Sequence, residues 1–212
     1  MSREAADPLP PEQFEEILGL RARACGLESH LDRFGALARY LSELDRWRQR
    51  VNLTGNLTAE DLADHTLEAL VGSPLILHGE RVVDIGSGAG FPGLPLAISR
   101  PDLSVTLVEP RGKRAAFLRH AARHLALPNV SVIAARIEEV GGQTFAFATT
   151  RAVGGFSRWI GDAAFLDTGG ALLAWTTQPE AVAEELPGFT LVRTVSIPGS
   201  AKRAIAVLLK RG

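Results

Sequence analysis

The sequence predicts an α/β fold: a Rossmann-like, mostly parallel seven-stranded sheet preceded by a helical N-terminal extension. Three observations predict it. From residue 79 onward, short β-rich runs alternate with helical stretches, the pattern of a parallel sheet covered on both faces. A glycine-rich loop, Gly86-Ser-Gly-Ala-Gly90, lies between the first such run and the first helix after it. Before residue 79 the apolar residues recur at helical spacing. A chain of 212 residues, 46% hydrophobic and 22% charged, holds one good core plus an appendage. The expected boundaries are 1–78 for the extension and 79–212 for the sheet domain.

In chain order, Leu31, Phe34, Leu37, Ala38, Leu41 and Leu44 make one apolar helix face, with Arg33, Arg39, Arg46, Arg48 and Arg50 largely off it. Asn52-Leu-Thr-Gly55 breaks the pattern. Thr58-x-x-Asp61 then reads as a helix N-cap with an acid in the first turn, leading toward Leu77. Arg81-Val-Val-Asp-Ile85 is the first strand. Further strands are expected at 104–109, 130–135, 145–149 and 170–175, and helices near 92–99, 113–126 and 155–165. The tail differs: 189–197 and 203–209 are two β-rich runs around Pro198-Gly199-Ser200, suited to close the sheet as an antiparallel pair.

The loop between the first strand and helix has the context of a nucleotide site. Glycines let the backbone turn sharply and approach a ligand without a Cβ in the way, and Pro92 suits the first turn of the next helix. The strand at 104–109 ends in Glu109, whose carboxylate in a doubly wound sheet lies beside the loop and can accept ribose hydroxyl protons. Two registers fit. Gly88-x-Gly90-x-x-Gly93 matches the dinucleotide pattern. Asp84-x-Gly86-x-Gly88-x-Gly90 resembles motif I of the class I S-adenosylmethionine methyltransferases. An acid at the strand end favours the second, because a carboxylate attracts a sulfonium and an amino group and repels a pyrophosphate.

The whole stretch Asp84-Ile-Gly-Ser-Gly-Ala-Gly-Phe-Pro-Gly-Leu-Pro-Leu-Ala-Ile98, with its Pro92 and Pro95, resembles the signature of the RsmG/GidB family, the bacterial 16S rRNA guanine-N7 methyltransferases. Other segments agree in order: Trp47…Asn52-Leu-Thr54, His65-x-Leu67…Leu70, Lys113-Arg-x-x-Phe-Leu118, Leu127-x-Asn-Val130, Arg136-x-Glu138, Thr150-Arg-Ala152 and Lys202-Arg203…Lys210. The likeness is good over roughly residues 30–155 and loose after that. The chain departs from it at Val153, where the family usually has Phe, at Trp175-Thr-Thr177, where it usually has Leu-Lys-Gly, and at Ala204, where it often has His. The resemblance implies a class I methyltransferase fold, S-adenosyl-L-methionine as cofactor, and a guanine N7 in the 530 loop of 16S rRNA, free or in the small-subunit particle, as target.

Guanine N7 carries a lone pair and no proton, so the transfer needs alignment and a dry pocket rather than a general base. Arginine or lysine reads the N7/O6 edge of guanine. By resemblance, Arg136, Arg151 and Arg203 are the arginines of the site, joined by Asn52 in its non-helical break. Cofactor contacts are expected from Asp84, Gly86, Gly88, Phe91, Glu109 and Arg151, with Ile137 and Glu138 flanking the adenine. His65 falls on a helix and reads as packed or capping rather than catalytic. His120 and His124 share one helix face; with no third ligand visible, they read as solvated and no metal is expected.

Composition bounds the alternatives. A net charge of −1 gives no global attraction to nucleic acid or an anionic membrane. Charge is local instead: residues 21–50 carry +3, residues 100–124 carry +4, and residues 51–99 carry −5. Arginine outnumbers lysine 20 to 3. One cysteine excludes an internal disulfide and a cysteine-based zinc cluster. Residues 1–20 lack the apolar run of a signal peptide, and nothing is long and apolar enough to span a membrane, so a cytoplasmic location is expected. Three other functions stay open at this point: a methyltransferase of another substrate, a nicotinamide-dependent oxidoreductase, and an RNA-binding module without catalysis.

Overall fold

The structure is a computed structural model and describes residues 7–151, 160 and 163–212. Three helices come first: α1 (Pro11–Cys25), α2 (Phe34–Arg48) and α3 (Ala59–Gly72). α1 opens on a proline and closes on Gly26 at φ +69°, whose N–H returns to the last-turn carbonyls. α3 starts as its sequence predicts. The Thr58 hydroxyl accepts from Asp61 N at 3.1 Å and the Asp61 carboxylate accepts from Thr58 N at 2.8 Å. The helix stops at Gly72 and gives way to a tight 3-10 turn, Ser73–Leu75, short of Leu77, because Pro74 brings no N–H to continue it.

The sheet then alternates with helices: β1 (Arg81–Ile85), α4 (Gly93–Ser99), β2 (Ser104–Val108), α5 (Gly112–His124), β3 (Val130–Ile133), β4 (Phe145–Arg151), β5 (Leu166–Thr176), α6 (Pro179–Glu184), β6 (Phe189–Ser196) and β7 (Ala204–Lys210). All seven strands join one sheet in the order β3-β2-β1-β4-β5-β7-β6. β1 to β5 are parallel, and β7 slots antiparallel between β5 and β6. Strand order reverses at β1, between β2 and β4. That switch point opens a crevice at the carboxyl ends of the strands.

Several strand limits differ from the sequence pattern by one to four residues; β4, for one, runs on to Arg151. β3 ends at Ile133 rather than 135. β5 starts at Leu166 rather than 170, because Gly169 and Gly170 interrupt the apolar run while the backbone continues through them as an irregular register against β4. The helix expected near 155–165 lies mostly outside the described residues; of its last stretch, 164–165 form a turn.

Alternation along the strands divides the core into two faces. Val82, Leu107, Ala171, Leu173 and Trp175 face α1 to α5, while Val83, Ile85, Val108, Leu172 and Ala174 face the side of α6. Phe14, Leu37, Leu41 and Leu70 of the first three helices belong to the same buried cluster as Leu94, Phe117 and Ile205. Each such fully buried Leu or Phe is worth about 1.5–3 kcal/mol of transfer free energy. The N-terminal helices therefore share the main core, and α2 and α3 reach the crevice.

Candidate active site

The crevice is built on the turn from β1 into α4. Gly86 N and Ser87 N donate to Val108 O, and Ser87 Oγ donates to Asp84 O at 2.8 Å, so the loop is stitched to the ends of β1 and β2. Gly88, at φ +53°, is the position that needs glycine for approach. A Cβ there meets nothing nearer than Arg114 Nη1 at 3.7 Å, so the backbone is open on that side. Gly93 needs it for packing: a Cβ would lie 2.4 Å from Leu107 and 2.7 Å from Asp84 Oδ2.

Glu109 is buried just beyond β2, and its carboxylate faces the loop. Oε2 accepts from Gly88 N at 2.9 Å and Oε1 from Arg111 N at 2.9 Å. Each oxygen keeps a second lone pair. Asp84 is fully buried beneath the loop. Its Oδ1 accepts from Thr149 Oγ1 at 2.9 Å, while Oδ2 has no hydrogen-bond partner of good geometry. Burial pushes its pKa up to about 6, against the Thr149 hydroxyl. With no exposed surface, Asp84 acts on a ligand through the loop it supports.

Phe91 is also buried, and its ring makes two T-shaped contacts: with Tyr40 of α2 at 5.7 Å and with His65 of α3 at 5.6 Å. Tyr40 OH donates to Ala89 O at 2.8 Å. Burial pushes its phenol well above the usual range, so it stays a donor. His65 is pulled down to about 3 by burial and by Arg151 and Arg203 nearby. It is a neutral ring at physiological pH.

Past His65 lies a carboxylate between two arginines. Arg151, the last residue of β4, places Nη2 3.0 Å from Glu68 Oε2, and Arg203, just before β7, pairs with Glu68 Oε1. Glu68 is buried on α3. Its pKa is raised by burial and held back by both arginines, while burial lowers that of Arg151. Trp175 Nε1 donates to Glu68 O at 2.9 Å and fixes the helix at this point. A cleft lined by Arg21, Asp64, Leu67, Glu68, Pro198 and Arg203 opens beside the pair.

The structure thus brings together Asp84, Gly86, Gly88, Phe91 and Glu109 at the loop, and Arg151 with Arg203 beside it. Asn52 is exposed near the same rim: its carbonyl lies 3.5 Å from Arg114 Nη2, and its side chain accepts from Gly55 N at 3.3 Å. Ile137 is buried in the core under Val83 and Val108. Arg136 is exposed, and Glu138 lines a cleft with Arg81, Val140 and Phe165 that no glycine-loop residue lines. Neither joins the arginine pair. Tyr40 and Glu68 stand within this candidate site, and sequence reasoning missed them. The one available signal for Glu68 was an acid within the apolar run Leu67–Val71.

Comparison with known proteins fits this geometry. Residues 33–187 match the GidB family, described as rRNA small subunit methyltransferase G. A ribosomal RNA small subunit methyltransferase G of Desulfotalea psychrophila is 41% identical over 155 residues, covering 69% of this chain and 70% of that one. Its counterpart in Roseiflexus castenholzii is 35% identical over 216 residues, covering 93% and 91%. Among solved structures, a SAM-dependent methyltransferase from Aquifex aeolicus superposes with a TM-score of 0.55 at 16% identity, covering 68% of this chain and 88% of that one.

Proposed function

The chain belongs to the GidB family of rRNA small subunit methyltransferases, and from that membership we propose that it methylates N7 of a guanine in the 530 loop of 16S rRNA. It is an S-adenosylmethionine-dependent rRNA methyltransferase of the class I fold. Family membership also decides the register of the glycine loop, in favour of S-adenosylmethionine over a nicotinamide dinucleotide.

The residues present fit that cofactor. Glu109 holds the loop and has lone pairs left for two ribose hydroxyls, and the Gly88 backbone is open on one side of a loop that buried Asp84 supports from beneath. When bound, S-adenosylmethionine supplies an electrophilic methyl carbon together with its own leaving group. The protein's residues then have to orient and to exclude water. Arg151 and Arg203, held by Glu68 at the carboxyl edge, are the groups proposed to grip guanine or its phosphate. His65 stays neutral between Phe91 and the arginines, which suits a wall of the site and not a proton acceptor at work near pH 7. That arrangement supports a nucleophile that arrives with a free lone pair, as N7 does.

The observation that carries the reading is the match of residues 33–187 to the GidB family, supported by contacts that link the loop to the arginines: Glu109–Gly88, Tyr40–Ala89, His65–Phe91 and Arg151–Glu68–Arg203. Mass mapping of 16S rRNA from cells with and without the gene should show one guanine losing a methyl group. Unchanged 16S rRNA, with methylation lost elsewhere, would reject the assigned target. Assays on free 16S rRNA and on small-subunit particles then separate the two forms of substrate. Glu109→Ala should weaken S-adenosylmethionine binding by at least about 1 kcal/mol in calorimetry, since charge-assisted hydrogen bonds are lost. Equal affinity would remove Glu109 from the cofactor site.

A further inference from the structure

We propose that Glu43, His120 and His124 form a binding site for one divalent transition-metal ion, of the Zn²⁺ type, that ties α2 to α5. His120 and His124 stand four residues apart on α5, with rings 5.7 Å apart and nearly parallel. Glu43 comes from the middle of α2. His120 Nε2 lies 3.0 Å from Glu43 Oε1, and His124 Nε2 lies 3.9 Å from Glu43 Oε2. The three ligand atoms all fall within 4.8 Å of one another. Donor atoms around a tetrahedral ion at bond lengths near 2.0–2.2 Å lie roughly 3.3–3.5 Å apart, so small side-chain rotations close this set on a cation.

The chemistry of the donors selects the ion. Two imidazoles and one carboxylate suit Zn²⁺, Co²⁺ or Ni²⁺; Mg²⁺ and Ca²⁺ prefer all-oxygen shells. The site is also prepared. Glu43 is buried, and His120 rests on Trp47 at 5.0 Å, which in turn packs on Phe117 at 5.6 Å. Glu43 is thus buried and His120 packed on an aromatic ring, while His124 is half exposed and leaves a way in from solvent. The fourth position would be water. The site is separate from the loop and the arginine pair, and it does not rest on the assigned substrate.

Titration of the metal-free full-length protein with Zn²⁺ should show one saturable site by calorimetry. Zn²⁺ should also raise the melting temperature, because a ligand bridging two helices binds the folded state alone. Co²⁺ should develop the visible absorption of a tetrahedral nitrogen–oxygen shell. His124→Ala, at a half-exposed position, should keep the fold and weaken Zn²⁺ binding at least tenfold; His120→Ala should do the same. Overturning results are no saturable binding to the wild type, or equal affinity in wild type and the His120→Ala/His124→Ala double variant, which would place the ion on other histidines. Folding of each variant is checked by its own melting transition without metal, so a destabilised protein is not mistaken for a lost ligand.

Discussion

Glu68 is the side chain on which the arginines of the site depend. A carboxylate this deeply buried is unfavourable alone, and so is the guanidinium of Arg151; each is tolerated because the other is present. Glu68→Gln keeps the shape and removes the charge, leaving Arg151 buried without compensation. The expected loss is about 3–5 kcal/mol in urea denaturation, with methylation falling alongside. A variant as stable as the wild type would mean that the ion pair is not formed in solution. His65 makes a second, pH-dependent prediction. Its folded pKa of about 3 lies below the ordinary value of 6.5, so between those values the unfolded chain binds a proton that the folded one does not. Stability contributed by neutral His65 is complete above pH 6.5 and is lost as pH falls toward 3. Asp84 acts in the opposite sense, since its folded pKa near 6 is raised, so the difference between proteins is the useful quantity. The wild type should lose more stability than His65→Phe between pH 7 and pH 5, measured by urea midpoints; parallel losses would place the imidazole in water. Glu109 could be read from the sequence because it closes a β-rich run that pairs beside a glycine loop. Glu68 and Tyr40 could not, because their partners Arg203, Arg151 and Ala89 are distant in the chain and no local spacing encodes them.

Trp175 shows how an element is positioned by one side chain. It is buried on β5, and its indole N–H holds the Glu68 carbonyl, which sets α3 at a fixed height over the sheet. Gly72 at the end of α3 lies directly on the ring: a Cβ there would be 2.4 Å from Trp175 Cζ2 and 2.7 Å from Cη2. An indole held by its own hydrogen bond cannot slide away. Gly72→Ala gains helix propensity of about 1 kcal/mol, but overpacking against a held indole costs about 1–3 kcal/mol, so a net loss of up to about 2 kcal/mol is expected. Gly72→Ala/Trp175→Phe should be less destabilised than the sum of the single variants, measured as a double-mutant cycle. Additive effects would mean that the two residues do not touch. At this scale the sequence was legible wherever the period alone decides. Each β-rich run became a strand, the Thr58–Asp61 cap started α3, and the tail closed the sheet antiparallel. Legibility failed at Gly169-Gly170, where a glycine pair looks like a break and the strand passes through it. It failed also for the role of Trp175, which in a one-dimensional reading is a departure from the family and in the fold is a prop beneath α3 and the arginine pair.

The charge of the whole molecule is rearranged by folding. Arg100 counted toward the basic stretch at 100–124, yet its guanidinium is spent inside, on Asp102 and on the carbonyls of Ser73, Ile76 and Leu77. Arg21 is likewise committed to Asp64, and Arg48 to Asp45 and Leu57. Among the exposed basic residues, Arg39, Arg46 and Arg50 lie on or just after α2, and Arg111, Lys113, Arg119 and Arg123 on or beside α5. These two groups are far apart in sequence, but α2 and α5 pack together through Trp47, Phe117 and the Glu43–His120 pair. Folding therefore joins two basic segments into one region, while the acids of residues 51–99 include Asp64, Glu68 and Asp84, all engaged at fixed sites. A protein of net charge −1 can hold RNA by such a region, because each neutralised phosphate releases counterions locally. Binding to 16S rRNA should weaken with salt, with a log–log slope near −0.7 to −0.9 for each phosphate contacted. Replacing Arg46, Arg50, Arg119 and Arg123 by Ala together should make that slope shallower by up to about 3. S-adenosylmethionine affinity should stay the same, since none of the four touches the glycine loop. Filter binding at several salt concentrations measures the slope. A wild-type plot that is flat, or a quadruple variant with the wild-type slope, would show that RNA is held elsewhere and that the arginine region is a solvated surface.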